Sequence, residues 1–172
     1  MAFDLASLSF GILEKKAINE VISCNDFTQN YGLSLTQEQA RELVRTCGEE
    51  LRKNDRVEFG GGITQRLIKT FCDSPYLMKS NYDSTLHDLI SLFYYYKTEM
   101  HDKVSDETLL YIMKKYFDEY GGSIEMLVDV ALDRMSLDLR SGASETDLLK
   151  KEYRPVDEPD KYKKDEEEDG EQ

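Results

Sequence analysis

Cysteine is scarce in this sequence, and the few cysteines present do not suit a protein held together by disulfides. Cys24, Cys47 and Cys72 form an odd set with wide spacing, and the chain contains no C-x-x-C pair. Small secreted domains that depend on disulfides carry an even number of cysteines at characteristic spacings. Cysteine usage therefore predicts reduced thiols and a cytoplasmic protein.

Basic residues are also few, at 22 lysines and arginines against 35 aspartates and glutamates, which gives a formal net charge of −13. A molecule of this charge repels the phosphate backbone of nucleic acids and the anionic surface of membranes. We therefore expect no nucleic-acid partner and no membrane partner. A partner protein, most readily a basic one, suits this charge. A homo-oligomer is also possible.

Long apolar runs are missing as well. The uncharged run Leu89–Tyr96 is far shorter than the roughly 20 residues that a membrane-spanning helix needs. The apolar N-terminal stretch has no early lysine or arginine and is interrupted by Asp4. We therefore do not expect a signal peptide, which supports the cytoplasmic assignment.

Strand-like alternation does not persist anywhere, whereas apolar residues recur at helical spacing along most of the chain. The apolar stripes begin at Leu13, Ala40, Ile63, Leu86, Leu109 and Leu127. Because the connections between these stripes are short, the sequence predicts an all-α protein. We expect one domain over residues 1–149, a bundle or orthogonal array of about six helices.

Residues typical of helix ends separate these stripes. Thr36–Gln39 has the pattern of a capping box, in which the threonine and glutamine side chains satisfy free backbone amides. Ser105 and Ser123 are predicted to begin later helices. Pro75 disfavours helical geometry in the residue before it, and Gly121–Gly122 is predicted to end the fifth helix.

The composition changes near residue 150. From Lys151 to Gln172 the chain has 10 acidic and 5 basic residues and almost no aliphatic side chains. Such a segment cannot bury enough apolar surface to offset the entropy lost on ordering. Residues 150–172 are therefore predicted to form a disordered acidic tail.

Three consecutive glycines, Gly60–Gly62, precede the third predicted helix and raise the question of nucleotide binding. A P-loop and a dinucleotide-binding fingerprint both require a glycine at the position where this chain has Gln65. The P-loop also requires a lysine directly after that glycine, whereas the first lysine here is Lys69. The segment therefore predicts no nucleotide cofactor.

A more general anion site remains a hypothesis for the same segment. Free amides at a helix start can hold an anion, and residues 52–69 carry five basic and two acidic side chains, a net of +3. The predicted anion-binding residues are Gly60, Gly61, Gly62, Arg56, Arg66 and Lys69. The alternative is a sharp reversal of the chain, with the basic side chains paired to neighbouring acids.

No catalytic or metal-binding set is predicted. Cys72 lies at a predicted helix C-terminus, where the helix dipole does not lower a thiol pKa. His87 and His101 stand alone, without the spacing of zinc or di-iron ligands. We therefore expect no catalytic residue, no metal and no cofactor, which favours a non-enzymatic protein and leaves an activity open.

Four aromatic residues in a row, Phe93–Tyr96, cannot all face one core, because successive helical residues turn by about 100°. At least one ring is therefore expected at the surface or against another chain. Tyrosine is enriched in interfaces because it combines apolar area with a polar tip. Tyr94 and Tyr95 are the predicted interface residues, and the alternative is a core residue whose hydroxyl lies at the rim.

Four separate segments together resemble a known family: YGLSLTQEQARELV at Tyr31–Val44, RVEFGGGI at Arg56–Ile63, FCDSPY at Phe71–Tyr76 and FYYYK at Phe93–Lys97. The family consists of small proteins from Gram-positive anaerobic bacteria and is described as a domain of unknown function. The resemblance covers roughly residues 13–140 and implies no activity, substrate or catalytic residue.

Three functional hypotheses follow from the sequence. The first is a non-enzymatic cytoplasmic module that binds another protein. The second is a small-molecule anion-binding protein or enzyme that uses the basic helix start Gly60–Lys69. The third is an acidic mimic of a nucleic acid, whose complexes would depend strongly on salt.

Overall fold

The computed structural model describes residues 5–58 and 62–156, with side chains from Leu8 onward, and no strand occurs in these ranges. The elements are α1 (Leu5–Ser23), α2 (Asn25–Thr28) with a 3₁₀ turn (Gln29–Tyr31), α3 (Gln37–Lys53), α4 (Ile63–Phe71), α5 (Tyr82–Glu99), α6 (Asp106–Glu119), α7 (Ile124–Met126), a π-helical segment (Leu127–Leu132), α8 (Asp133–Arg140) and α9 (Glu145–Lys150). The prediction of an all-α fold is confirmed. α7, the π-helical segment and α8 follow one another without a break and correspond to the sixth predicted helix.

Helix starts follow the capping chemistry that the sequence predicts. The Thr36 hydroxyl accepts the Gln39 amide at 3.1 Å, and the Thr36 amide donates to the Gln39 side chain at 2.9 Å. Ser105 and Ser123 accept the amides three residues onward in the same way. These contacts satisfy amides that a helix start leaves without partners.

The end of α6 requires glycine for a steric reason. Gly121 and Gly122 both have positive φ, at 69° and 78°. A Cβ atom on Gly122 would lie 2.5 Å from the Cβ of Tyr76, which is closer than real side chains approach. The reversal between α6 and α7 therefore packs directly on the loop after α4.

The core lies among α4, α5, α6 and the π-helical segment. The largest fully buried side chains include Leu67, Phe71, Phe93, Leu109, Met113 and Phe117. The rings of Phe71 and Phe117 meet edge to face with centroids 5.4 Å apart, a favoured aromatic arrangement. We call this the closed side of the molecule, because its apolar side chains are shielded from solvent.

The packed chain continues beyond the predicted end of the domain. The sequence predicted a tail from residue 150, but Tyr153 is buried against Tyr116, and its hydroxyl donates to Asp138 at 2.7 Å. Although partial burial opposes it, this bond and the Lys151 ammonium lower the pKa of Asp138. Composition did not predict the burial of Tyr153, because the stretch around this single tyrosine is polar. The rest of the predicted tail, residues 157–172, lies outside the described residues.

The first half of α1 departs from the predicted apolar stripe. Ile18, Val21 and Cys24 are buried as expected, but Leu13 is 65% exposed, as is Phe10 one turn earlier. Only the second half of α1 packs closely against the body of the protein. This difference creates an open apolar surface beside α3.

Candidate functional site

The segment with three glycines begins a helix, but an acidic side chain of the protein already occupies that start. Gly62 is the residue before α4 and has extended backbone angles, while Gly60 and Gly61 lie outside the described residues. The Ile63 amide donates to Oε1 of Glu58 at 2.8 Å. A Cβ on Gly62 would lie 3.2 Å from Oε2 of Glu58, so the glycine leaves room for this carboxylate.

Two of the three basic residues of the predicted anion site pair with acidic residues elsewhere in the fold. Arg56 donates to Asp102 at 2.7 Å, and Arg66 donates to Glu107 at 2.7 Å. Lys69 lies exposed in the last turn of α4. Arg66 is drawn to α6 because acidic residues gather at the start of that helix. The described residues therefore do not converge on one anion, and the pairing follows the alternative that the sequence left open.

The two predicted interface tyrosines have different surroundings. Tyr95 is 51% exposed, whereas Tyr94 is only 3% exposed and belongs to the core. The Tyr94 hydroxyl donates to Oε2 of Glu58 at 2.8 Å. An interface role for Tyr94 therefore does not fit its position, because its ring has no surface to offer. The prediction rests on Tyr95 alone.

A cleft of about 490 Å³ opens between α1, α3 and the start of α4. Phe10, Leu13 and Ala17 of α1 line one wall, and Val44 and Leu51 of α3 line the other. We call it the α1–α3 cleft. Its volume lies within the range of about 300–1,000 Å³ that is usual for ligand sites, and its walls are apolar.

Cys47, Glu58 and Thr64 form the polar floor of the α1–α3 cleft. Cys47 Sγ lies 3.5 Å from the Tyr94 hydroxyl oxygen and 3.9 Å from Oε2 of Glu58. The Thr64 hydroxyl oxygen lies beside them and is shielded from solvent. The floor therefore consists of the Glu58 carboxylate with buried polar groups around it.

Burial keeps the protons on the titratable groups around Glu58. It raises the pKa of the Cys47 thiol, and it raises the pKa of the Tyr94 hydroxyl far more strongly. A thiol with a raised pKa is a poor nucleophile at neutral pH, because the thiolate is the reactive form. The floor is thus suited to holding a polar group and not to nucleophilic catalysis by Cys47.

The rim of the α1–α3 cleft is acidic. Glu14, Glu20 and Glu49 contribute carboxylates, against the guanidinium groups of Arg45 and Arg52. Arg45 is paired with Glu42 of its own helix at 2.8 Å, and Glu20 is paired with Lys16 of its own helix at 4.0 Å, so both have less influence on the cleft. A ligand that enters the cleft therefore meets an excess of negative charge.

Sequence reasoning missed this site because its members are far apart in the chain. Glu58 was counted only as one of two acids within a basic segment, yet the fold brings it to Cys47 and Tyr94. A local signal did exist in α1, where Leu8 and Ile12 lie on one face and Phe10 and Leu13 on the other. A helix that is apolar on two faces has more apolar surface than one core contact can bury.

Residues 20–145 match DUF6323, a family of unknown function. The chain belongs to this family. The matched range contains the whole polar floor of the cleft, whereas Phe10 and Leu13 precede it. Searches of curated proteins and of solved structures find no match. Among the described residues, no helix is both long and apolar enough to cross a membrane.

Proposed function

We propose that this DUF6323 protein is a non-enzymatic interaction module of the bacterial cytoplasm. It binds a basic amphipathic helix of a partner protein in the α1–α3 cleft. The observation that carries the proposal is the 65% exposure of both Phe10 and Leu13 on the wall of a cleft of about 490 Å³. These side chains contribute little to the fold, and they become buried when the cleft is filled.

Apolar burial supplies the driving force in this proposal. Burying a phenylalanine or leucine side chain completely contributes roughly 1.5–3 kcal/mol. Val44 and Leu51 on the facing wall are half-buried and complete an apolar surface on both sides of the occupant. A helix that docks in a groove presents side chains at spacings of three, four and seven residues. A partner helix with one apolar face meets both walls.

Charge determines which helix fits. The rim has three carboxylates against two guanidinium groups, and the whole chain carries −13. This charge attracts a basic segment and opposes the approach of a second copy of the same chain. The partner is therefore expected to carry lysine or arginine beside its apolar face.

Co-purification with matched variants of α1 tests the proposal. The full chain is used as bait in lysate of the cells that make it, beside Phe10→Glu on the cleft wall and Ile12→Glu on the outer face. Both side chains are about equally exposed, so neither change disturbs the core. We expect a protein that wild type and Ile12→Glu retain, that Phe10→Glu loses, and that added salt releases.

The identity of the bound segment completes that test. Limited proteolysis of the complex and mass spectrometry should yield a basic amphipathic helix. Equal retention by Phe10→Glu, or no retained protein at all, would count against the proposal. A dimer of the purified chain that Phe10→Glu dissociates would instead identify a second copy as the occupant.

A further inference from the structure

Gly11 and Gly48 lie within helices at positions where the described part of the fold does not require glycine. Gly11 belongs to α1 and Gly48 to α3. A Cβ atom on either residue would meet no atom within 4 Å beyond the adjacent helix backbone. Neither residue has the positive φ that Gly121 and Gly122 have. Glycine is the least favourable residue within a helix after proline, so each of them lowers the stability of its helix relative to alanine.

Gly48 differs from Gly11 because it lines the α1–α3 cleft. Residues three and four positions away on a helix are the neighbours of a given residue on the same face. The four residues at these spacings from Gly48 all line the cleft as well: Val44, Arg45, Leu51 and Arg52. Gly48 is therefore the base of a notch in the α3 wall, with larger side chains around it. We call this the Gly48 notch.

The shape of the Gly48 notch suits a large side chain of a docked helix. When two helices pack, a side chain of one inserts between residues of the other. Because Gly48 has no side chain at the centre of this contact, the inserted residue has more room and the two helices can approach more closely. Val44 and Leu51 are half-buried and give the notch apolar walls.

The charges beside the Gly48 notch determine which side chain fits. Arg45 and Arg52 carry the two guanidinium groups of the rim, and both are neighbours of Gly48 on α3. Like charges repel at this distance, so a lysine or arginine of the partner is disfavoured at the notch. The basic residues of the partner helix belong instead beside the glutamates of the rim. The residue over Gly48 is therefore expected to be apolar.

We propose that the Gly48 notch receives one large apolar side chain of the partner helix, such as leucine or phenylalanine. This inference rests on the proposed function for the presence of that helix. Gly48 is then the residue that positions the partner on α3 and selects for a large apolar residue at one point of its sequence. The cost of glycine within α3 is offset when the notch is filled.

Gly48→Ala and Gly11→Ala are matched variants for the stability of the free protein. Each adds one methyl group to a helical position that has free space. Both should therefore raise the midpoint of thermal unfolding by about 2–4 °C. Only Gly48→Ala places its methyl group in the cleft. A lower midpoint for Gly48→Ala would show that the chain itself fills the notch and would overturn the proposal.

A designed peptide measures binding to the same full-length variants by isothermal titration calorimetry. The probe is an amidated helix of about 18 residues, built from alanine and lysine, with three leucines at spacings of four and three residues on one face. We expect wild type and Gly11→Ala to bind it equally. Gly48→Ala should bind it about tenfold more weakly, because an added methyl group overpacks a filled contact. Equal binding by Gly48→Ala and wild type would overturn the proposal.

The central leucine of the peptide locates the contact. In a second peptide this leucine is replaced by alanine, which leaves the notch unfilled. Gly48→Ala should then weaken binding little or not at all, because the two changes act on the same contact and are not additive. A penalty that remains tenfold with the second peptide would place the leucine elsewhere and contradict the proposal.

Phe10→Glu and a scrambled peptide of the same composition separate this inference from the proposed function. Binding that Phe10→Glu loses and Gly48→Ala retains would leave the proposed function standing and contradict the role of Gly48. Binding that Phe10→Glu retains in full, or no preference of wild type for the leucine-faced peptide over the scrambled one, would contradict the proposed function itself. Weaker binding in both variants that depends on the central leucine supports the two proposals together.

Discussion

Two phenylalanines on helices of the same protein have opposite surroundings. Phe117 of the closed side is fully buried and meets Phe71 edge to face, whereas Phe10 of the α1–α3 cleft is largely exposed. On the closed side, apolar side chains are buried against one another within the chain. The open side leaves apolar side chains exposed, and this exposed surface is the basis of the proposed binding site.

Charged groups show the same difference. Lys97 on the closed side is buried, and its ammonium contacts the Val104 carbonyl and Asp106, the latter at 2.8 Å. Glu58 at the floor of the cleft forms no ion pair in the described part of the chain and accepts the Ile63 amide and the Tyr94 hydroxyl instead. The buried ammonium of Lys97 is paired within the fold, whereas the half-buried carboxylate of Glu58 is held by hydrogen bonds alone.

Core truncation should give the largest contrast between the two sides. We expect Phe117→Ala to lower the free energy of unfolding by about 3–5 kcal/mol, because it leaves a cavity in a closed core. Phe10→Ala should change it by less than about 0.5 kcal/mol, as at other exposed positions. Urea denaturation measures both. Similar losses in the two variants would show that the wall of the cleft is part of the core.

Alkaline pH should destabilise the closed side through Tyr82. Burial raises the pKa of Tyr82 to about 12, above its usual value near 10. Its contribution is therefore complete below pH 10 and is lost as the pH rises toward 12, by up to about 3 kcal/mol. The difference in unfolding free energy between wild type and Tyr82→Phe should shrink or reverse over this range. A difference in unfolding free energy that stays constant over this pH range would contradict the predicted role of Tyr82.

Glu58 should contribute to stability through its two hydrogen bonds. Glu58→Ala leaves the Tyr94 hydroxyl and the Ile63 amide without their acceptor, so we expect a loss of about 2 kcal/mol in urea denaturation. Glu49→Ala is the control, because Glu49 is exposed and forms no hydrogen bond or ion pair with the rest of the described chain. A gain in stability on Glu58→Ala would mean that the cost of the carboxylate exceeds the value of its bonds.

Loss of the N-terminal cap of α3, the helix that forms one wall of the cleft, should lower stability without changing binding. Thr36→Ala removes the acceptor for the Gln39 amide and should cost about 1 kcal/mol by thermal or urea unfolding. Thr146→Ala in α9, where the threonine is exposed, is the control and should be nearly neutral. Retention of a partner protein by the full chain should stay unchanged in both. A loss of retention in Thr36→Ala would show that the cleft depends on the start of α3.

The helices could be predicted because their starts depend on local contacts. The site could not, because it depends on contacts between residues that are far apart in the sequence. The starts at Thr36, Ser105 and Ser123 depend on side chains within three residues, which a sequence shows directly. The floor of the cleft depends on Glu58 and Tyr94 meeting across 36 positions, which no local pattern encodes. For the same reason, the sequence could not show which acidic residues pair with the basic residues of segment 52–69.

Photo-crosslinking tests the central claim, that the α1–α3 cleft is a binding surface, most directly. A photoreactive amino acid is placed at Leu13 on the cleft wall or at Ile12 on the outer face of α1, two positions of nearly equal exposure. We predict that position 13 crosslinks to a basic amphipathic helix, that high salt suppresses the product, and that position 12 gives little of it. Equal crosslinking from both positions, or none from position 13, would contradict the account.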